Sequence, residues 1–185
     1  RTLLVFPQND RAEKIGKIFK GDLENYLENS YVWHYWWGEE GLDITNSKYE
    51  DTGHGGLDIR FALDAHENGL LFGENNLRKF SRTFTENIFK EYSKISFRVD
   101  GSFKEDGTGG NLKSAARWLG LSKYNNEVYE IIKSIYDFND FSTSNSRLVL
   151  WGYAKLTKLS TLSEGLIGYY PLNLHSLDYS GNENH

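Results

Sequence analysis

His54 stands among three glycines, Gly53, Gly55 and Gly56, with Asp51 just before it and Asp58 one helical turn after. Ordered glycine costs backbone entropy, so such a cluster marks either a tight turn or a close approach by another group. In the first turn of a helix capped by Thr52, unpaired backbone amides and the helix dipole favour a neutral imidazole, which can accept a proton. Asp58 shares that face and pulls the other way, orienting the ring while raising its affinity for a proton. Gly55 and Gly56 then let a bulky ligand approach the helix end. The competing reading is a buried histidine bonded to a neighbouring carbonyl, with the glycines serving close helix contact.

A second constellation precedes it. In YVWHYWW, Tyr31 to Trp37, six of the seven residues carry rings. Pyranose rings present apolar C–H faces that stack on indole and phenol, while the phenol hydroxyl and indole N–H bond sugar hydroxyls. Trp33, Trp36 and Trp37 could form such a wall, and alternation would place Trp33, Tyr35 and Trp37 on one side with His34 and Trp36 on the other. A core plug sealing the helices is the equal alternative. His34, His54 and Asp58 have donor types that bind zinc or calcium, but neither HExxH spacing nor an EF-hand loop is present. No metal and no cofactor is expected. GTGG, Gly107 to Gly110, lacks the Lys-Ser/Thr of a phosphate cradle and is expected to be a flexible loop.

These residues need a scaffold. The 185 residues include 21 basic and 26 acidic side chains without a basic stripe, which argues against nucleic acid as a partner. No apolar run approaches the roughly 20 residues of a membrane span, so no membrane insertion is expected. Cysteine is absent, which removes disulfides and thiolate metal sites. The chain begins with Arg1 and is expected to be an excised or processed piece, in which a missing signal peptide says nothing about export. Apolar residues recur at helical spacing from Asp10 to Glu28 (Ala12, Ile15, Phe19, Leu23, Tyr26) and from Gly53 to Asn68 (Leu57, Phe61, Ala65). A third helix follows Asn75 and Asn76, with Leu77, Phe80, Phe84, Ile88 and Phe89 inward; three more span Asn111 to Leu119, Glu127 to Phe138 and Ser144 to Leu159. Short links join the second helix to the third and the fourth to the fifth, predicting antiparallel hairpins. The longer links, 29–52, 93–110 and 138–143, should then share one face, which is where chemistry is expected.

This all-α pattern of antiparallel helical hairpins resembles part of an (α/α) toroid, the barrel of many polysaccharide lyases and glycoside hydrolases. Residues 1–162 would be that partial toroid. GLIGYYPLNLHSLDYSGNENH, Gly165 to His185, is similar to the opening strand of laminin-G-like, concanavalin-type jelly-roll domains, matching at Gly165, Leu166, Tyr169, Tyr170, Pro171, Asp178, Ser180, Gly181, Asn182, Asn184 and His185. Residues 163–185 would then be a linker and the first strand of a truncated jelly roll, which needs about eight strands to close. The two resemblances imply a secreted, cell-surface or periplasmic protein with a polysaccharide substrate and further domains in the same parent chain.

Two reaction classes follow. A lyase acting on a uronic-acid glycan by β-elimination needs a base for the C5 proton, an acid for the leaving oxygen and a group that neutralises the carboxylate. His54, Tyr35 and Arg147 could fill those roles; Arg147 starts the sixth helix, with Trp151 one turn on as a substrate contact. A hydrolase needs two carboxylates flanking the bond, and Asp51, Asp58 and Asp100 are the candidates. The better-marked histidine favours the lyase. A helical domain that binds carbohydrate without cleaving it is the alternative from another class.

Overall fold

A computed structural model describes residues 9–27, 29–35, 48–144 and 146–163. It is mostly helical, with two small antiparallel sheets. The C-terminal jelly-roll resemblance, Trp36 and Trp37 lie outside the described residues. Helix α1 runs Asn9–Asp22 and stops well short of the predicted end. Strands β1 (Glu24–Tyr26) and β2 (Ser30–Val32) form a hairpin instead. The hairpin wins because β2 delivers Tyr31, Val32 and then Trp33 into the core, while β1 satisfies its backbone. Asp22 ends α1 by accepting the backbone N–H of His34 at 2.9 Å.

Helix α2 (Thr52–Glu67) is the element on which the candidate site is built. Its buried residues are Thr52, Gly55, Gly56, Ile59, Ala62, Leu63 and Ala65; of the predicted row, Ala65 is buried and Phe61 is half-buried against the core, whereas Leu57 is 52% exposed. The helix is capped at its far end by Asn68, followed by Gly69 in the left-handed region. Helix α3 (Glu74–Arg82) continues as a π-helical turn, Thr83–Ile88. The bulge lets the Thr83 hydroxyl accept from Tyr31 N at 3.0 Å and donate to Tyr31 O at 2.7 Å, tying α3 to β2. Phe89, expected inside that helix, begins the hairpin β3 (Phe89–Glu91) and β4 (Lys94–Ile95).

The segment Leu112–Lys123 is an unusually long 3₁₀ helix and the hub of the domain, packing on α2, on α4 (Glu127–Asn139) and on α5 (Arg147–Ser163). It buries Ala115, Ala116, Trp118, Leu119 and Leu121. Trp118 meets Trp33 and Phe84 with ring centroids 6.3 and 5.6 Å away, and its Nε1 donates to Thr52 O at 3.1 Å. The same indole thus fills the core and fixes the start of α2.

Two of the three longer connections, 29–52 and 93–110, meet at that start. Glu50 N donates to Trp33 O, Val99 N to Glu50 O and Thr52 N to Phe97 O, at 2.9, 3.0 and 2.9 Å. Segments 33–35, 48–52 and 97–99 therefore form one wall of hydrogen-bonded backbone. Gly109 and Gly110, expected in a flexible loop, press against the backbone of Ile95 and Ser96.

Candidate active site at the start of helix α2

Asp51, not Thr52, caps α2: its Oδ1 accepts from Gly53 N at 2.8 Å and His54 N at 3.0 Å. Thr52 is buried, its hydroxyl donating to Ser96 O at 2.9 Å. The second oxygen of Asp51 bonds His54 Nδ1. An ionised carboxylate only accepts, so Nδ1 bears a proton, and in the neutral ring Nε2 keeps the lone pair. The His54 side chain is 57% exposed, which leaves that lone pair at the surface. Tyr35, 40% exposed, stands edge-on to the imidazole, with centroids 5.6 Å apart. Asp51, His54 and Tyr35 are thus neighbours: His54 and Tyr35 are the expected base and acid of the lyase, whereas Asp51 was expected only as a carboxylate of the hydrolase.

Asp58 does not orient the ring as expected. It accepts from Trp33 Nε1 at 2.9 Å behind the histidine. Burial pushes its carboxyl up to about 6, against the pull of the Trp33 hydrogen bond and of His54. Trp33 is fully buried, in T-shaped contact with Phe19 and Phe80 and tilted against Trp118, so it packs on core aromatics and not on a sugar. Asp100 closes a turn, accepting from Ser102 N at 3.0 Å and Ser102 Oγ at 2.7 Å. His34 is buried against Asp22 and Tyr49.

The glycines are explained by packing, which corrects the expectation that they admit a ligand. A Cβ on Gly56 would lie 2.6 Å from Arg117 Cβ, and one on Gly55 between 3.1 and 3.3 Å from Val99, Trp33 and Trp118. The 3₁₀ helix crosses α2 where side chains are missing. Gly56→Ala should therefore destabilise the fold by about 1–2 kcal/mol despite alanine's better helix propensity, because a backbone-borne Cβ of Arg117 cannot swing aside. Chemical denaturation checks this, and a variant as stable as the parent would contradict it.

Two residues absent from the sequence-based site belong to it. Glu50 is 4% exposed, and its Oε1 accepts Asp51 N at 2.8 Å. Burial, with the charges of Asp58 and Asp51, raises its carboxyl from 4.5 to about 8, so it is protonated at neutral pH. Arg117 donates from Nη1 to Gly53 O at 2.6 Å, one residue before His54. Neither was legible locally: Glu50 looks like any solvated acid, and Arg117 arrives from 64 residues away.

Stability should carry Glu50's signature. The unfolded chain releases this proton near pH 4.5 and the folded chain holds it to about 8, so the folded state binds more protons between those values. Stability then falls as pH rises through that window, and Asp58 adds to the lower part, from 3.8 to about 6. Melting temperatures measured across it should decline, and Glu50→Gln should remove much of the slope; an unchanged slope would refute the assignment.

Donor atoms of Glu50, Asp51 and His54 lie within 4.8 Å of one another, a spacing that can hold a cation. A cation there would have to displace the proton between Asp51 and His54 and the one on Glu50, so acid would oppose its binding.

Arg147 and Trp151 lie on α5, one turn apart and both exposed. Trp151 and Leu148 share a groove with Gly56 and Leu57, so the start of α5 lies along the start of α2. No known protein family, curated protein or solved structure matches this chain.

Proposed function

We propose that the chain is part of an extracellular enzyme that cleaves a uronic-acid polysaccharide by β-elimination. The observation that carries this reading is the exposed His54, held at Nδ1 by Asp51 with Tyr35 edge-on beside it. His54 Nε2 takes the C5 proton, the electrons of that bond form the C4–C5 alkene, the C4–O4 bond breaks, and the Tyr35 hydroxyl protonates the departing O4. Arg117, with Arg147 from α5, counters the negative charge that builds on the uronate carboxyl. The helical array is part of an (α/α) toroid in this reading, and residues 163–185 open a laminin-G-like domain.

Paired-carboxylate hydrolysis is disfavoured by what Asp51 already does. Both of its oxygens are engaged, one by two amides and one by His54, and one oxygen of Asp58 is engaged by the indole N–H of Trp33. Neither is placed to attack a sugar carbon or activate a water.

The test is to incubate the full chain with a panel of uronate polysaccharides and follow the absorbance of the new alkene. Asp51→Asn keeps a good helix cap but loses the charged acceptor for Nδ1, so kcat should fall by about 10²-fold or more while stability changes by under about 1 kcal/mol. Glycan binding with no alkene from the parent protein would replace the lyase with a non-catalytic carbohydrate-binding domain.

A further inference from the structure

The groove between α2, the 3₁₀ helix and α5 has a volume of about 230 Å³ and is lined in part by Leu57, Arg60, Arg117, Trp151 and Lys155. We infer that it holds one anionic ring, a carboxylated or sulfated sugar unit, as a subsite continuous with His54; this rests on the proposed polysaccharide reading. Two features point to such an occupant. Its apolar wall is exposed where large apolar side chains are usually covered: Trp151 is 40% and Leu57 52% exposed, and an indole face suits the C–H face of a sugar. Its charge is one-sided. Among the described residues three cations line it and no carboxylate does, in a chain of net charge −5.

The cations differ in what they have left to give. Arg60 is paired with Asp64 at 2.8 Å, and Arg117 spends one Nη1 bond on Gly53 O, keeping its other donors. Lys155 is half-buried, stands over the Trp151 ring at 5.4 Å and has no hydrogen-bonded carboxylate among the described residues. Burial lowers its affinity for a proton, the charges of Arg60 and Lys158 lower it further, and Glu67 and Asp64 offset part of this. An anion in the groove would favour the charged lysine against these effects. The volume is below that of pockets for drug-sized ligands, roughly 300–1,000 Å³, which limits the occupant to about one ring. Arg117 touches both the groove and the residue preceding His54, so the neighbouring unit of the same glycan would reach the base.

Titration of the full chain with oligogalacturonate, a sulfated oligosaccharide and an uncharged cello-oligosaccharide tests this. An anionic oligosaccharide should bind and weaken with added salt, and the uncharged one should bind at least tenfold more weakly. Lys155→Gln should weaken binding about tenfold, raising KM with little change in kcat, and Trp151→Ala should weaken binding similarly. Absent binding of both anionic sugars, binding indifferent to both substitutions, or equal displacement by a poly-glutamate peptide would overturn the inference. The two claims fail separately. Alkene formation with KM untouched by Lys155→Gln ends the subsite alone, whereas groove-dependent binding without any alkene ends the lyase alone.

Discussion

His54→Ala should abolish turnover, with a loss on the order of 10³-fold in kcat, in a protein that melts close to the parent. The two halves of that result have different origins. A positioned general base contributes roughly 10² to 10⁴-fold, and Asp51 positions this one through Nδ1. The side chain itself is 57% exposed, and the cap of α2 rests on the backbone amides of Gly53 and His54, which alanine retains. The cost in stability should stay within about 0.5–1 kcal/mol, measured by denaturant midpoint at constant slope. A variant that is destabilised yet still active would remove His54 from the chemistry.

Trp118→Ala should be the most damaging core change, at about 3–5 kcal/mol. The ring is fully buried against Trp33 and Phe84, and its Nε1 satisfies Thr52 O, the first carbonyl of α2. Truncation leaves a cavity and removes the indole's bond to a carbonyl that the helix ladder also engages. Trp118→Phe separates the two losses: packing is largely kept, the hydrogen bond is lost, and the cost should be about 0.5–1.5 kcal/mol. Equal stability of all three proteins in a thermal melt would show that the 3₁₀ helix is not the hub.

The extent of α2 was legible because its signals are local: a run of polar residues before it, and Asn68 and Gly69 after it. Its buried face was legible only at Ala65, because glycine carries no hydrophobic weight in a periodicity argument, and Gly55 and Gly56 belong to that face. Leu23 and Tyr26 fit a helical row as well as they fit a hairpin, and only the burial of β2 by the rest of the fold decides between them. Trp33 shows the same limit at the site. An aromatic run announces itself in sequence, but whether an indole faces Phe80 or solvent depends on residues far along the chain. The juxtaposition of Asp51 and His54 was readable from their spacing, whereas the choice of Asp51 over Asp58 as the ring's partner turned on a one-residue shift of the helix cap.

The most direct measurement is the fate of the C5 hydrogen. A uronate oligosaccharide carrying deuterium at C5 is incubated with the full chain, and the products are followed by mass spectrometry and NMR. The account predicts loss of the deuterium to water, a new C4–C5 alkene, and fragments whose masses sum to the substrate's apart from the exchanged hydrogen isotope, with all three slowed on the order of 10³-fold by His54→Ala. Deuterium retained in products that together are heavier than the substrate by one water would contradict it, because the glycan would then have been hydrolysed without a base ever acting at C5.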